Sequence, residues 1–505
     1  MSTTPLRRSF VFNLIYPMVR LAVAVVTVPI YVHHVGDARY GVLSIVWILL
    51  GYFGFLDLGL SRASTNALSK LRDAPQPDRA RVLLTTITLN FCFGLVGAIL
   101  LYFVGGYLFE HVLSVPDVLK PEVAGALPWI ACLFPMALVS GAAIGALESR
   151  ERFLAANLFQ MFSMILSQVA PVAVAVFVSS SLEVVIPSVA VAQGLSILIQ
   201  LVYVYRLEGP IYVYRLDGPT FDWAEARKLL GYGGWVTVSS VISPLLVSAD
   251  QFLIGSLIGV AGVAHYAVPM NLVVRSQTVP AALARTFFPR MSVLSGDAAR
   301  DLGARALLTL GYGYAAICAP GIVISPVFFR YWIGPDFAQI AAPVAQILFI
   351  GAWINGLAFV SFTLIQGQGR PDLTGKLHLA EIVPFLGILW ILTSSLGLNG
   401  AAIAWSLRSA VDAFAMFWAA GMSRRVTVAA TARPAALLFA SGAAAQSVGT
   451  NLVLAPAVAA LVGLAAAWMA YIYCDDWRKF AIGQLRRARA LVEARIGRTG
   501  PAPSA

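Results

Sequence analysis

The sequence predicts an all-α polytopic membrane protein with about fourteen transmembrane helices. They would form two six-helix lobes, related by a pseudo-twofold axis along the membrane normal, followed by two C-terminal helices. Three observations predict this. Hydrophobic residues make up 59% of the 505 residues and charged residues 12%, with a mean hydropathy of +0.80. That is more apolar surface than a soluble chain of this length can bury. Apolar stretches near the length needed to cross a bilayer recur from one end of the chain to the other. Lysine and arginine fall on one side of the membrane when the loops are alternated.

Taken in order, the spans are 11–33, 40–61, 82–109, 125–147, 154–179, 184–205, 232–258, 266–289, 305–330, 343–366, 377–396, 400–420, 433–449 and 452–474. The first run is long enough to cross the membrane and has no small-residue cleavage site after it, so it reads as a retained helix. The thirteenth is short and alanine-rich, the weakest of the series. Pro29, Pro135, Pro171, Pro244, Pro280, Pro320 and Pro384 lie inside spans. Each frees a backbone carbonyl and favours a kink, which a membrane bundle tolerates where neighbours or cavity water satisfy the freed group. The extended polar segments are 62–81, 206–231 and the tail after Cys474, read as loop, connector and tail.

With a cytoplasmic N-terminus, 28 of the 35 lysines and arginines lie in cytoplasmic segments. Arg39, Lys120 and Arg330 lie outside, and Arg20, Arg275, Arg285 and Arg408 within spans. This bias places both termini in the cytoplasm. The net charge of +11 is therefore topological. Its partner is anionic membrane lipid, and no nucleic-acid partner is implied. Cys92, Cys132, Cys318 and Cys474 lack metal-ligand spacing, so neither a disulfide nor a metal is expected. No phosphate loop, nucleophile triad or dinucleotide fingerprint occurs. No cofactor is expected, and the chain reads as a transporter and not an enzyme.

The chain repeats weakly. V-G-D-A-R-Y-G-V, from Val35, is echoed by I-G-V-A-G-V-A-H-Y-A-V, from Ile258. G-A-L-E-S-R-E-R-F, from Gly145, is echoed by I-Q-G-Q-G-R-P-D-L, from Ile365. The offsets nearly agree: 226 residues between Tyr40 and Tyr266, and 220 between Arg150 and Arg370. The expected divisions are an N-lobe over 1–205, a connector over 206–231, a C-lobe over 232–421, two added helices over 422–474 and a basic tail over 475–505. The substrate site would lie between the lobes near the midplane. Within the connector, Y-V-Y-R-L-E-G-P-I is followed directly by Y-V-Y-R-L-D-G-P-T, a tandem duplication that reads as neutral in a tolerant loop or else as an adapted inter-lobe hinge.

A bare arginine in hydrocarbon costs roughly 3 kcal/mol or more, so intramembrane arginines face a cavity or a polar partner. Asn13, Tyr16 and Arg20 share one face of span one. Arg20 would bind a diphosphate or acidic sugar, or else pair with Asp57 or Asp250. Asn271 and Arg275 stand one turn apart at the centre of span eight, where Arg275 would line the cavity or else be paired structurally. Arg408 and Asp412, four residues apart on span twelve, suit an intrahelical ion pair. The alternative is that substrate competes for Arg408 and leaves Asp412 to take a proton. Asp57, Asp250 and Asp412 are the ion-coupling candidates, with a rim ion pair to Arg62 as the equal alternative for Asp57. Glu381 and Arg285 read as side chains snorkelling to the inner surface.

Several pieces together resemble the Wzx-like polysaccharide flippases, in the superfamily of the MATE drug exporters and lipid II flippases. These are P-I-Y-V-H-H-V-G-D-A-R-Y-G-V at 29–42, F-L-D-L-G-L-S-R-A at 55–63, Asp250 followed by F-L-I-G, Y-W-I-G-P-D-F at 331–337, G-Q-G-R at 367–370 and L-G-L-N-G-A-A-I-A-W at 396–405. The resemblance spans about residues 10–420 and implies transport of a polyprenyl-diphosphate-linked oligosaccharide across the inner membrane by alternating access. It adds Arg62 to the cavity cations, because lipid II flippases resemble this chain in carrying cations on helices one, two and eight. It also implies partnership with a polymerase or glycosyltransferases of the same pathway. The rival readings are a MATE-like cation or drug antiporter, whose cavity should be anionic, and a membrane glycan polymerase or ligase, which generally has a large outside loop. The longest outside loop here, 110–124, holds no plausible catalytic set.

Overall fold

The computed structural model describes residues 19, 22–52, 57, 60–71, 76–208, 222–223, 226–227, 248–294, 296–479 and 481–484. Among them no strand occurs, and nine helices are long and apolar enough to cross a membrane. The elements are α1 (Ala22–Val35), α2 (Asp37–Tyr52), α3 (Leu60–Lys70), α4 (Gln76–Tyr107), α5 (Lys120–Ser149), α6 (Phe153–Phe177), α7 (Leu182–Glu208), α8 (248–257) and α9 (Val260–Ser276). They continue with α10 (Thr278–Val293), α11 (Gly296–Trp332), α12 (Pro335–Gly367), α13 (Pro371–Ala419), α14 (Arg424–Val448) and α15 (Leu454–Tyr473). The architecture is that of an all-α, multi-span membrane protein. The chain divides into two compact units, Met1–Ala264 and His265–Ala505.

The two hairpins that echo each other in sequence also share a backbone feature. Gly36, between α1 and α2, has φ 85°, and Gly259, between α8 and α9, has φ 110°. The segment 62–81, expected as a polar loop, is instead mostly α3 and the start of α4. Pro77, in the first turn of α4, carries the fixed φ that starts a helix without losing an intrahelical bond.

Within the first unit, α3, α4 and α5 pack closely. Arg79, on the first turn of α4, is 1% exposed. Its guanidinium donates to the carbonyl of Leu68, to that of Leu71 at 3.3 Å and to Ser149 Oγ at 3.2 Å. One cation thus satisfies carbonyls that α3 leaves open at its C-terminus and ties that end to the C-terminus of α5. At the opposite end of α5, Arg39 Nε donates to Glu122 Oε2 at 2.8 Å. The same oxygen accepts from the backbone N–H of Leu182 at 3.0 Å. This joins the starts of α2, α5 and α7.

Within the second unit, α11 runs through the core, and α12, α14 and α15 pack on it. Gly311 marks the closest approach, because a Cβ there would lie 2.4 Å from the carbonyl oxygen of Ala430 on α14. Trp353 Nε1 donates to the carbonyl of Gly311 at 2.8 Å, and Tyr312 Oη to that of Ala429 at 3.0 Å. Beyond α15, Trp477 Nε1 donates to the carbonyl of Thr309 at 2.8 Å. The alanine-rich thirteenth span is a full helix. Ser423 caps its start by accepting from Val426 N, and Gly449, with φ 58°, ends it.

Helix α13 holds spans eleven and twelve in one run, broken at Gly397 with φ 61° and ψ −138°. That conformation is open almost only to glycine, and it folds the helix into two arms.

Candidate functional site

The two arms of α13 bring four ionisable side chains together. Arg408 Nη1 lies 3.6 Å from Glu381 Oε2, and their side chains are 14% and 10% exposed. Asp412 Oδ1 lies 3.6 Å from His378 Nε2, and Asp412 is close enough to Glu381 for the two carboxylates to interact. The Arg408 guanidinium also sits 5.3 Å from the centre of the Phe385 ring. Arg408 is eleven residues past the break at Gly397. At the rise of an α-helix this is about 16 Å, near the middle of a hydrocarbon core of about 30 Å.

These contacts correct two sequence expectations. Arg408 faces Glu381 on the other arm, in place of the intrahelical pair with Asp412. Helical side chains lean toward the N-terminus, so an arginine that precedes an aspartate by four residues points away from it. Glu381 does not snorkel to the inner surface. The second arm places a guanidinium beside it inside the bundle.

At 3.6 Å these are ion pairs without hydrogen bonds. Both Glu381 carboxylate oxygens, Arg408 Nε and Asp412 Oδ1 are buried without a hydrogen-bond partner among the described residues. The cluster gathers two carboxyl groups, one guanidinium and one imidazole. Such a group can exchange partners: an anion can take the guanidinium, and a proton or cation can take the carboxylates.

Arg275 lies half-buried on the last turn of α9, and Asn271 stands exposed one turn earlier. The predicted span eight is interrupted here, since α9 ends at Ser276 and α10 starts at Thr278. Pro280 accounts for the break. It has no N–H for the carbonyl of Ser276, and its ring crowds that turn. Gln277 Nε2 is buried there without a hydrogen-bond partner among the described residues, while Ser276 Oγ meets Tyr314 Oη at 2.6 Å.

Asp57 stands just ahead of α3. Its Oδ1 accepts from Ser61 Oγ at 2.7 Å and Ser61 N at 3.3 Å, favourable placement for an acid at a helix N-terminus. Asn90 Nδ2 continues the network to Ser61 Oγ at 3.4 Å and to the carbonyl of Leu138 at 3.0 Å. Asp250 is fully buried, with Oδ1 accepting from Gln251 N at 2.8 Å. Asn13, Tyr16, Arg20 and the Arg62 side chain lie outside the described residues.

Sequence reasoning missed His378 and Glu381 as members of the cluster. It also counted Arg79 among surface cations. The Q-P-D start of α4, a proline in the first turn, is the signal that would have moved Arg79 from a loop onto a helix.

A multi-span helical scaffold with ionisable groups buried between two helix arms defines a class of multi-pass membrane protein. The profile of the family described as "Polysaccharide biosynthesis protein" matches residues 6–295, more than half of the chain. The chain belongs to that family. It is 29% identical over 417 residues to a protein of Shigella flexneri described as a candidate O-antigen transporter, covering 81% of this chain and 96% of that one. The solved structure of the lipid II flippase MurJ in an inward closed conformation is similar in fold. Its TM-score is 0.69 at 12% identity, covering 92% of this chain and 98% of that one. An inward-facing multidrug resistance MATE family transporter of the MOP superfamily gives a TM-score of 0.62 at 15% identity, covering 82% and 98%.

Proposed function

We propose that this chain is a flippase that carries an undecaprenyl-diphosphate-linked glycan from the inner to the outer leaflet of the bacterial inner membrane, by alternating access. The observation that carries the reading is Arg408, a mid-bilayer guanidinium whose Nε has no hydrogen-bond partner among the described residues and whose ion pair with Glu381 is long. A planar guanidinium binds phosphate through two parallel hydrogen bonds, stronger than the contact it would give up. Family membership and the Shigella flexneri relative support a glycan cargo.

In this reading the diphosphate draws Arg408 from Glu381, and Arg275, beside the break in its span, supplies a second cation. Arg20 and Arg62 would add to the path, with Asn13, Tyr16 and Asn271 as its hydrogen-bonding surface. The carboxylates released in the cluster then take up a proton or cation, which couples cargo to an ion. Asp412 is the coupling group there, and Asp57 and Asp250 are further candidates. Both termini lie in the cytoplasm, and the pathway's polymerase and glycosyltransferases are the partners.

The test is a deletion strain in which lipid-linked oligosaccharides are quantified in each leaflet. Complete units accumulating on the inner leaflet, with surface polysaccharide lost, would establish flipping and give the cargo's mass. Unchanged lipid-linked sugars with intact polysaccharide would remove the proposal. They would favour a second reading, export of an organic cation, which the two-to-one excess of carboxylates over guanidinium in the cluster also suits.

A further inference from the structure

A cleft of about 300 Å³ opens in the second unit where the end of α11, the first half of α12 and the end of α14 meet. Its polar lining is Arg330, Gln339, Gln346, Gln446 and Thr450, and proline, alanine and glycine make up the rest. We infer that this cleft binds the headgroup of an anionic phospholipid, a phosphodiester carrying hydroxyls.

The prolines explain how the site is built. Pro326 lies inside α11 and has no N–H for the carbonyl of Ile322. Gln346 supplies the missing donor, its Nε2 reaching Ile322 O at 3.4 Å. That bond fixes the Gln346 amide and leaves its carbonyl oxygen for a ligand hydroxyl. Arg330 is fixed as well, with Nη1 donating to Thr450 Oγ1 at 2.9 Å. Its other N–H groups remain available. The side-chain amides of Gln339 and Gln446 hydrogen-bond to no other described residue. The cleft therefore offers a pre-positioned guanidinium, three amides and a hydroxyl.

The charge selects the ligand class. Arg330 is the one charged residue of the lining, and no carboxylate lines it. A single positive charge matches a phosphodiester monoanion. An ammonium headgroup would find no counter-charge here. The surroundings select a lipid over a soluble ester: Tyr331, Ile340, Leu452 and Val453, one to three residues along the chain from the lining residues Arg330, Gln339 and Thr450, are 45–76% exposed. Acyl chains would cover these apolar side chains while the headgroup enters the cleft. With the termini cytoplasmic, this end of the bundle faces the outer leaflet. The site does not depend on the identity of the transported glycan.

The experiment uses the full chain purified in detergent. Native mass spectrometry and the thermal denaturation midpoint are read with dioleoylphosphatidylglycerol, dioleoylphosphatidylcholine or inorganic phosphate added. Wild type should retain phosphatidylglycerol at least tenfold better than phosphatidylcholine. Arg330→Gln should lower that preference to near parity, and Gln446→Leu, on the opposite wall, should weaken it separately. The basic tail is common to all variants, so nonspecific attraction cancels in the comparison. Equal retention of phosphatidylglycerol by wild type and both variants would overturn the inference. Stabilisation by inorganic phosphate equal to that by phosphatidylglycerol would overturn the lipid assignment and leave a simple anion site.

Discussion

Replacing Arg408 by methionine, alone and together with Glu381→Gln, separates a structural ion pair from a working one. Both side chains are nine-tenths or nearly so removed from solvent, at 10% and 14% exposure. The exposed-pair value of about 0–1 kcal/mol therefore does not apply. Breaking a buried pair from one side costs about 3–5 kcal/mol, because the remaining charge is left uncompensated. The 3.6 Å separation lacks a hydrogen bond, which places Arg408→Met near the lower end of that range. The double variant removes both charges and should recover stability to within about 1 kcal/mol of wild type. Denaturation midpoints in detergent measure this arm. Surface polysaccharide in a strain lacking its own copy measures the other. The expected pattern is a single variant that is unstable and inactive, and a double variant that is stable yet inactive. Wild-type polysaccharide from the double variant would refute the role of Arg408 in handling cargo. A single variant as stable as wild type would refute the burial argument.

Three further outcomes follow from other parts of the molecule. Arg275→Ala should abolish surface polysaccharide at unchanged protein level by immunoblot, and normal polysaccharide would remove Arg275 from the path. Arg79→Ala strands the carbonyls of Leu68 and Leu71. At about 1.5–3 kcal/mol per charge-assisted bond it should lower the protein level severely, with Arg79→Lys intermediate. Gly397→Ala meets no atom within 4 Å, yet its backbone conformation should cost about 1–3 kcal/mol, read as a lower denaturation midpoint.

The scaffold was legible because bilayer thickness imposes a length rule that the apolar runs obey. The span-thirteen run 433–449 reads as marginal only because its helix starts nine residues earlier, in the polar stretch after Ser423. Helix α3 escaped the same rule. L-S-R-A-S-T-N-A-L-S-K is too polar to register as a span, and its stability comes from Asp57 at one end and Arg79 at the other. Pairing between helices is not written in spacing along one of them. Arg408 and Asp412 are visible together at four residues, whereas Glu381 lies 27 residues before Arg408 and meets it only through the fold at Gly397. Arg79 was hidden for a related reason, since backbone carbonyls are its chief partners and these have no letter of their own.

The contact of Gly311 with the backbone of Ala430 bears on how the last two helices were gained or lost over time. A side chain at 311 and a helix at 430 exclude each other. A relative without the α14–α15 pair is free of this restriction at the matching position. Residue size at position 311 should therefore track helix number across relatives, a pattern that comparing their sequences can look for without a further structure.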